Sequence, residues 1–197
     1  MDRELEENIV EAREVLRNGG IVVYPTETAY GIAADALNPE AVEKVFEAKE
    51  RPRDKGLTVI VDSLETAEKY AELTGAERKV VQELMPGPLT LVTEKKEEVP
   101  DILNEKFVFR ISSGEVASQL AASGPITATS ANISGGDTSY SVGDIDPALL
   151  EQVDYVLDTG ALEPSPTSTI AEVNNGRVLI HRKGPVTRSE IEKVLNG

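Results

Sequence analysis

Short apolar runs rich in β-branched residues, each stopped by proline, glycine or a polar turn, decide what this chain can fold into. "IVVYP" (Ile21–Pro25), "LTVIV" (Leu57–Val61), "PLTLVT", "FVFRIS" (Phe107–Ser112) and "ITATS" are too short for helices and read as strands, several of them buried. "DYVLD", "STIAEV" and "RVLIHR" continue the series. Segments of helical period lie between. Leu5, Ile9, Ala12 and Leu16 form one face, closed by Gly19-Gly20. Asn38-Pro39 starts a second helix with Val42, Val45 and Phe46 inward, and Pro52 forbids it to run much past Lys49. Glu65–Leu73, Glu77–Leu84 and "GEVASQLAAS" are further helical stretches, and "VTRSEIEKVLN" carries a capping box from Thr187 to Glu190. "STIAEVNNGRVLIHR", turning at Asn174-Asn175-Gly176, is a hairpin. Alternating strands and helices together with a hairpin predict an α/β fold, a mixed sheet flanked by helices. With no repeat, low-complexity tract or long linker, residues 1–197 read as one domain ending in a short helix at 188–196.

The absence of cysteine excludes disulfides, thiolate catalysis and Cys-zinc sites, and a single histidine, His181, excludes a His-rich metal site. No apolar run approaches the ~20 residues of a membrane span. The start, "MDRELEENIV", is acidic where a signal peptide is basic and then apolar, so the expected location is the cytoplasm. A formal net charge of −15 argues against extensive non-specific nucleic-acid binding.

Charge is unevenly placed. No Lys or Arg occurs from Ile111 to Gly176, whereas "AKERPRDKGL" (Ala48–Leu57) gathers Lys49, Arg51, Arg53 and Lys55. That run fits a solvated surface as well as an anion site. "TATSANISGG" places Ser130, Asn132 and Ser134 where a strand ends, a position suited either to ligand contacts or to turns that satisfy only their own backbone. "YPTETAYG" sets Thr26, Thr28 and Tyr30 around Glu27 in a segment that is irregular or strand-like. Neither G-x-x-x-x-G-K-S/T nor G-x-G-x-x-G is present, so a nucleotide would be held by a less common arrangement.

Taken in order, these segments resemble the YrdC domain family. "GGIVVYPTETAYGIAADALNPEAVEKVFEAKERPRDKGLTVIV" is similar to its opening, with the P-T-D/E-T-x-Y-G turn and the helix ending in K-x-R-P. "PGPLTLV", "FRIS", "TSANISGG", "STIAEV" and "HRKG" match its later landmarks, over about residues 10–185. The resemblance implies a twisted open mixed sheet with a concave electropositive cavity. It also implies synthesis of L-threonylcarbamoyl-AMP from L-threonine, bicarbonate and ATP, with pyrophosphate release, for a tRNA modification. On this likeness Lys49 and Arg51 hold the phosphates, Ser130 and Asn132 orient the nucleotide, and Arg182 reaches it. Thr26, Thr28, Arg110 and Ser168 contact threonine, Lys55 supports the phosphate or bicarbonate region, and Mg2+ arrives on the ATP phosphates with no protein cage. Downstream tRNA-modifying proteins would take the product. Two further readings stand beside it: a non-catalytic module binding double-stranded RNA or tRNA, and carbamoyl transfer. The likeness has departures. Ile60 stands where many relatives carry a histidine that helps to bind threonine, "SANISG" lacks the usual proline, and R-P-G is "RKG". Longer relatives carry a second domain where this chain has its terminal helix.

Overall fold

The N-terminal apolar spacing becomes α1 (Arg3–Arg17), with Ile9, Ala12 and Leu16 buried. The computed structural model describes residues 3–197; Met1 and Asp2, part of the stretch read as an acidic start, lie outside them. The chain continues through β1 (Val22–Pro25), β2 (Tyr30–Ala33), α2 (Pro39–Ala48), β3 (Thr58–Val61), α3 (Leu64–Tyr70), β4 (Ala71–Glu72) and α4 (Gly75–Leu84). It then forms β5 (Leu89–Lys95), β6 (Phe107–Ile111), α5 (Glu115–Ala121), β7 (Ile126–Ser130), α6 (Pro147–Leu150), β8 (Tyr155–Val156), β9 (Thr169–Asn174), β10 (Arg177–Arg182) and α7 (Arg188–Asn196).

Local chemistry explains most of these boundaries. The Asn38 side chain accepts from the Glu40 and Ala41 amides, and Pro39 sits in the first turn of α2. That helix stops because Glu50 turns to φ +47° and Pro52 follows. Thr187 and Glu190 form the expected capping box of α7. One boundary moved. The helix read as Glu65–Leu73 ends at Tyr70, because Ala71 and Glu72 leave it to pair with Lys95 and Glu94 of β5. A sheet edge outcompeted helical propensity there.

The strands form one mixed sheet in the order β10-β9-β5-β6-β3-β7-β2-β1-β8, with β4 paired to β5. β3–β6, β5–β9 and β1–β8 are parallel; the other pairings are antiparallel. Alternation along each strand divides the core in two. Val59, Val61, Leu89, Leu91, Phe107, Phe109 and Ala171 face one side, where Val42, Val45 and Phe46 of α2, Val80 and Val81 of α4 and Ile191 of α7 cover them. Val22, Tyr24, Ala33, Ile60 and Ile126 face the other side and meet Ile9, Ala12 and Leu16 of α1 and Val116, Ala117 and Leu120 of α5. These two helices pack on β1, β3 and β8. Beyond them the same face lies open, with a floor of Thr90 and Val92 of β5, Val108 and Arg110 of β6, Ala128 and Ser130 of β7 and Ile170 of β9. No helix among the described residues is long and apolar enough to cross a membrane.

Candidate active site

The open face forms a cleft of about 610 Å³. Arg51, Lys55, Arg110 and Arg182 line it with His181 and the hydroxyl residues Thr26, Thr28, Thr90, Ser130, Thr138 and Ser168, and no carboxylate is among its described lining residues.

The basic segment divides into separate roles. Arg51 and Lys55 line the cleft. Arg51 donates from Nε to the Gly56 carbonyl and from Nη2 to that of Lys55, each at 2.9 Å, so its guanidinium is laid over the tight turn at 53–55. Partial burial lowers its pKa from the ordinary value. Arg53 turns away, pairing with Glu43 and stacking 4.6 Å from the Phe46 ring centroid. Gly56 is obligatory: its φ is +48°, and a Cβ there would lie 1.5 Å from Asn104 Oδ1.

Lys49 is 1% exposed and lies behind the cleft wall. Its Nζ donates to the carbonyls of Ser130 and Asn132, the latter at 2.7 Å, while the Ser134 amide donates to the Lys49 carbonyl at 2.8 Å. Burial, and then the positive charge of Arg51, push its pKa down to about 7. Ser130 faces the cleft and donates to Asn132 Oδ1. Asn132 is not in the lining; its amide nitrogen is spent on the Ile133 and Gly136 carbonyls at 2.8 and 2.9 Å. The polar loop therefore satisfies its own backbone and also presents Ser130 outward.

At the opposite end, Arg110 donates from Nη1 to Glu27 Oε1, and Ser112 donates to Oε2 of the same carboxylate at 2.5 Å. Arg110 is 6% exposed, so this is a buried ion pair with both carboxylate oxygens occupied. Thr26 accepts the Thr28 and Ala29 amides at 3.1 and 3.2 Å, donates to the Ala29 carbonyl at 2.7 Å and lies 3.0 Å from the Thr28 hydroxyl. Arg182 reaches across to Ser168, from Nε to its carbonyl and from Nη2 to its hydroxyl, both at 3.0 Å; that hydroxyl meets Thr90 at 2.8 Å. A register shift between Ile180 and Arg182 interrupts the alternation of β10. It lets neighbouring His181 and Arg182 both line the cleft, a typical use of a bulge. His181 Nε2 lies 3.0 Å from Glu172 Oε2. Ile60, next to Arg110 in the ladder, is fully buried in the apolar cluster below α1 and α5.

Sequence reasoning left several contributors without roles. Tyr30 Oη lies 3.0 Å from Asp158 Oδ1 and 2.7 Å from the Gly160 carbonyl, and accepts the Thr159 amide at 3.0 Å. It pins the irregular 157–168 segment beside the cleft, with Ser165 donating to the Glu27 carbonyl at 3.1 Å. Thr90 was detectable as a polar residue on the inward alternation of "LTLVT". Tyr24 lines the cleft with its hydroxyl buried and unpaired among the described residues. Those residues contain no group of three or more His, Asp or Glu side chains placed to hold a metal.

The fold and the site together define an α/β protein with an open mixed sheet and a cation- and hydroxyl-lined cleft on its uncovered face. The sequence matches the family Sua5_yciO_yrdC, described as "Telomere recombination", over residues 14–184, and the chain belongs to that family. A protein of Methanocaldococcus jannaschii is 38% identical over 175 residues, 88% of this chain and 84% of that one. The threonylcarbamoyl-AMP synthase of Pyrococcus abyssi is 34% identical over 186 residues, 91% of this chain; the match spans 55% of the P. abyssi protein. The crystal structure of P. abyssi Sua5 complexed with L-threonine superposes with a TM-score of 0.84 at 34% identity, over 94% of this chain and 56% of that one.

Proposed function

We infer that the protein is a threonylcarbamoyl-AMP synthase, a nucleotidyltransferase acting on L-threonine, bicarbonate and ATP. The observation that carries this is the meeting of Arg51, Arg110 and Arg182 with the Thr26, Thr28, Ser130 and Ser168 hydroxyls in one cleft, in a chain related to a synthase of that name.

The amine of L-threonine combines with bicarbonate, losing water, to give a carbamate. A carbamate oxygen then attacks the α-phosphorus of ATP and pyrophosphate leaves. No protein nucleophile is required, so the work of the residues is positioning and stabilisation of phosphate charge. Arg51 and Arg182 are assigned the phosphates, each able to chelate two oxygens, with Lys55 at the mouth and Ser130 orienting the nucleotide. Lys49 and Asn132 act from behind, keeping the Ser130 loop in place. Arg110, Thr26, Thr28 and Ser168 are assigned to threonine. Arg51, Lys55 and Arg182, which have no ion pair among the described residues, make the cavity electropositive in this reading, while Arg110 is balanced by Glu27. Magnesium enters on the ATP phosphates; the neutral hydroxyl oxygens at the wall suit a cation that keeps most of its waters. Residues 1–197 act as one catalytic unit in the cytoplasm, handing the product to tRNA-modifying proteins and touching tRNA only weakly.

The test is pyrophosphate release from ATP with and without L-threonine and bicarbonate, with L-serine as control. Release that needs both co-substrates is the expected result. ATP binding without release would point to another amino acid, and no ATP binding would overturn the assignment in favour of an RNA-binding module.

A further inference from the structure

Tyr24 is a buried group at the cleft that neither the described hydrogen bonds of the fold nor the reaction as described uses. The residue is fully buried, yet it lines the cleft, and its hydroxyl has no hydrogen-bond partner among the described residues. Buried hydroxyls are nearly always paired, so an orphan bordering a cavity signals a partner supplied from outside the chain.

The β1–β2 ladder places this side chain beside the cleft. Tyr24 is opposite Gly31 in the β1–β2 ladder. A Cβ at Gly31 would lie 3.3 Å from Tyr24 Cε1, 3.5 Å from Cζ and 3.1 Å from the Thr129 carbonyl. Glycine thus lets the outer end of the ring lie against the β2 backbone. Arg110 and Glu27 are the charged groups that act on the phenol, and they are engaged with each other. The second Glu27 oxygen is taken by Ser112. Burial raises the Tyr24 pKa well above the ordinary phenol value, so the group stays a neutral hydroxyl that can both donate and accept. Across the ladder Gly31 is followed by Ser130 of β7, whose hydroxyl is already donated to Asn132, and the small residues Ala29 and Ala128 also line the cleft. Ile60, beside Arg110, contributes no polar atom.

A neutral donor-acceptor within a wall of small residues matches a side chain that carries one hydroxyl and one methyl. We propose that the Tyr24 hydroxyl is a specificity determinant that pairs with the β-hydroxyl of the amino-acid substrate, with the methyl against Gly31 and Ala128. This rests on the threonine reading above. Arg110 takes the carboxylate, and Tyr24 distinguishes threonine from its isostere valine. A site that hydrogen-bonds a substrate hydroxyl rejects the analogue lacking it far more strongly than an apolar pocket can, because the protein group is then left unpaired.

The test is Tyr24→Phe, which removes one oxygen that holds nothing in the fold; its melting temperature should equal or exceed that of the wild type. The measurement is kcat/KM for pyrophosphate release with L-threonine and with L-valine, supported by calorimetric binding of L-threonine. The wild type should prefer threonine by at least about 10². The variant should lose about 10- to 100-fold on threonine, mostly through KM, and its preference over valine should fall to about 10-fold or less, with KM for ATP unchanged. An active variant that keeps the wild-type threonine-to-valine ratio overturns the role of Tyr24 and leaves the synthase assignment standing. That would also be the result if an ordered water met the hydroxyl. A wild type that neither binds L-threonine nor releases pyrophosphate with it overturns the assignment, and this inference with it.

Discussion

Lys49 joins the charge of the site to the stability of the fold, and its protonation makes the link measurable. Its ammonium is buried against two carbonyls, and desolvation, then Arg51, lower its pKa from 10.5 to about 7. In the unfolded chain the ordinary value returns, so between pH 7 and 10.5 the unfolded state binds the extra proton and stability must rise with pH. The folded pKa is the depressed one. The contribution is therefore complete above the unfolded value and is lost as pH falls through 7. At about 1.4 kcal/mol per pKa unit, the gain from pH 7 to 8.5 is between about 1.5 and 2 kcal/mol. Deprotonation does not break the contacts, since a neutral amine still has two hydrogens for the Ser130 and Asn132 carbonyls. The comparison is Lys49→Met, which keeps the length and removes the titration. It leaves two carbonyls without donors, at a cost of about 1–3 kcal/mol each. Urea unfolding of both proteins at pH 7 and 8.5 should show the wild type pulling ahead by that amount. Parallel behaviour at the two pH values would refute the argument. If phosphates settle near Arg51, their charge should raise the Lys49 pKa again. ATP binding at pH 8 should then take up part of a proton in the wild type and none in Lys49→Met, as read by calorimetry in two buffers of different ionisation enthalpy. Lys49→Ala, which frees the Ser130 loop, should lower turnover, and activity within twofold of the wild type would show that the loop holds without it.

Other positions give independent tests. Glu27→Gln leaves the buried Arg110 charge uncompensated and should cost about 3–5 kcal/mol in urea unfolding; a loss under 1 kcal/mol would mean that Arg110 finds another partner. Tyr30→Phe frees Asp158, Thr159 and Gly160 together. It should speed proteolytic nicking within 158–166 and lower stability by about 1–3 kcal/mol, and an unchanged cleavage rate would show that the segment is held elsewhere. Arg182→Lys keeps the charge but cannot reproduce the two-pronged contact with Ser168. KM for ATP should rise about 10-fold in steady-state assays, and an equal KM would remove Arg182 from the nucleotide.

The strands and helices were legible because each is set by neighbouring residues: apolar alternation, Asn38 before Pro39, Thr187 with Glu190, Gly19-Gly20. The order of the strands was not. Pairings such as β1 with β8 or β5 with β9 join segments far apart in sequence, and nothing local encodes them. The site divides in the same way. Arg51, Arg110, Ser130, Ser168 and Arg182, together with Lys55, Thr26 and Thr28, do meet in one cleft. Lys49 and Asn132 come out behind its wall, because a buried ammonium must find carbonyls and the loop carbonyls were within its reach. Tyr24 gave no signal, since an aromatic residue in a buried strand is ordinary core until its hydroxyl is found unpaired.

The acidity of the chain and the cationic cleft are compatible for a physical reason that also bounds the ligand. At physiological ionic strength charges are screened over about 8 Å, so a ligand in the cleft responds to the groups around it and hardly to the net −15 of the whole. Within that range the described lining carries Arg51, Lys55, Arg110 and Arg182, with Glu27 behind Arg110 and Glu172 beside His181, so the balance stays positive. A long RNA duplex would leave the cleft and meet the acidic surface, so the charge pattern favours the compact substrates proposed above over an RNA duplex. The same sheet face makes this possible. Where α1 and α5 cover it, the inward positions are Val22, Ile60 and Ile126. Where no helix covers it, the same alternation carries Thr90, Arg110 and Ser130 instead. The site is the part of a two-sided core that was left without its second layer.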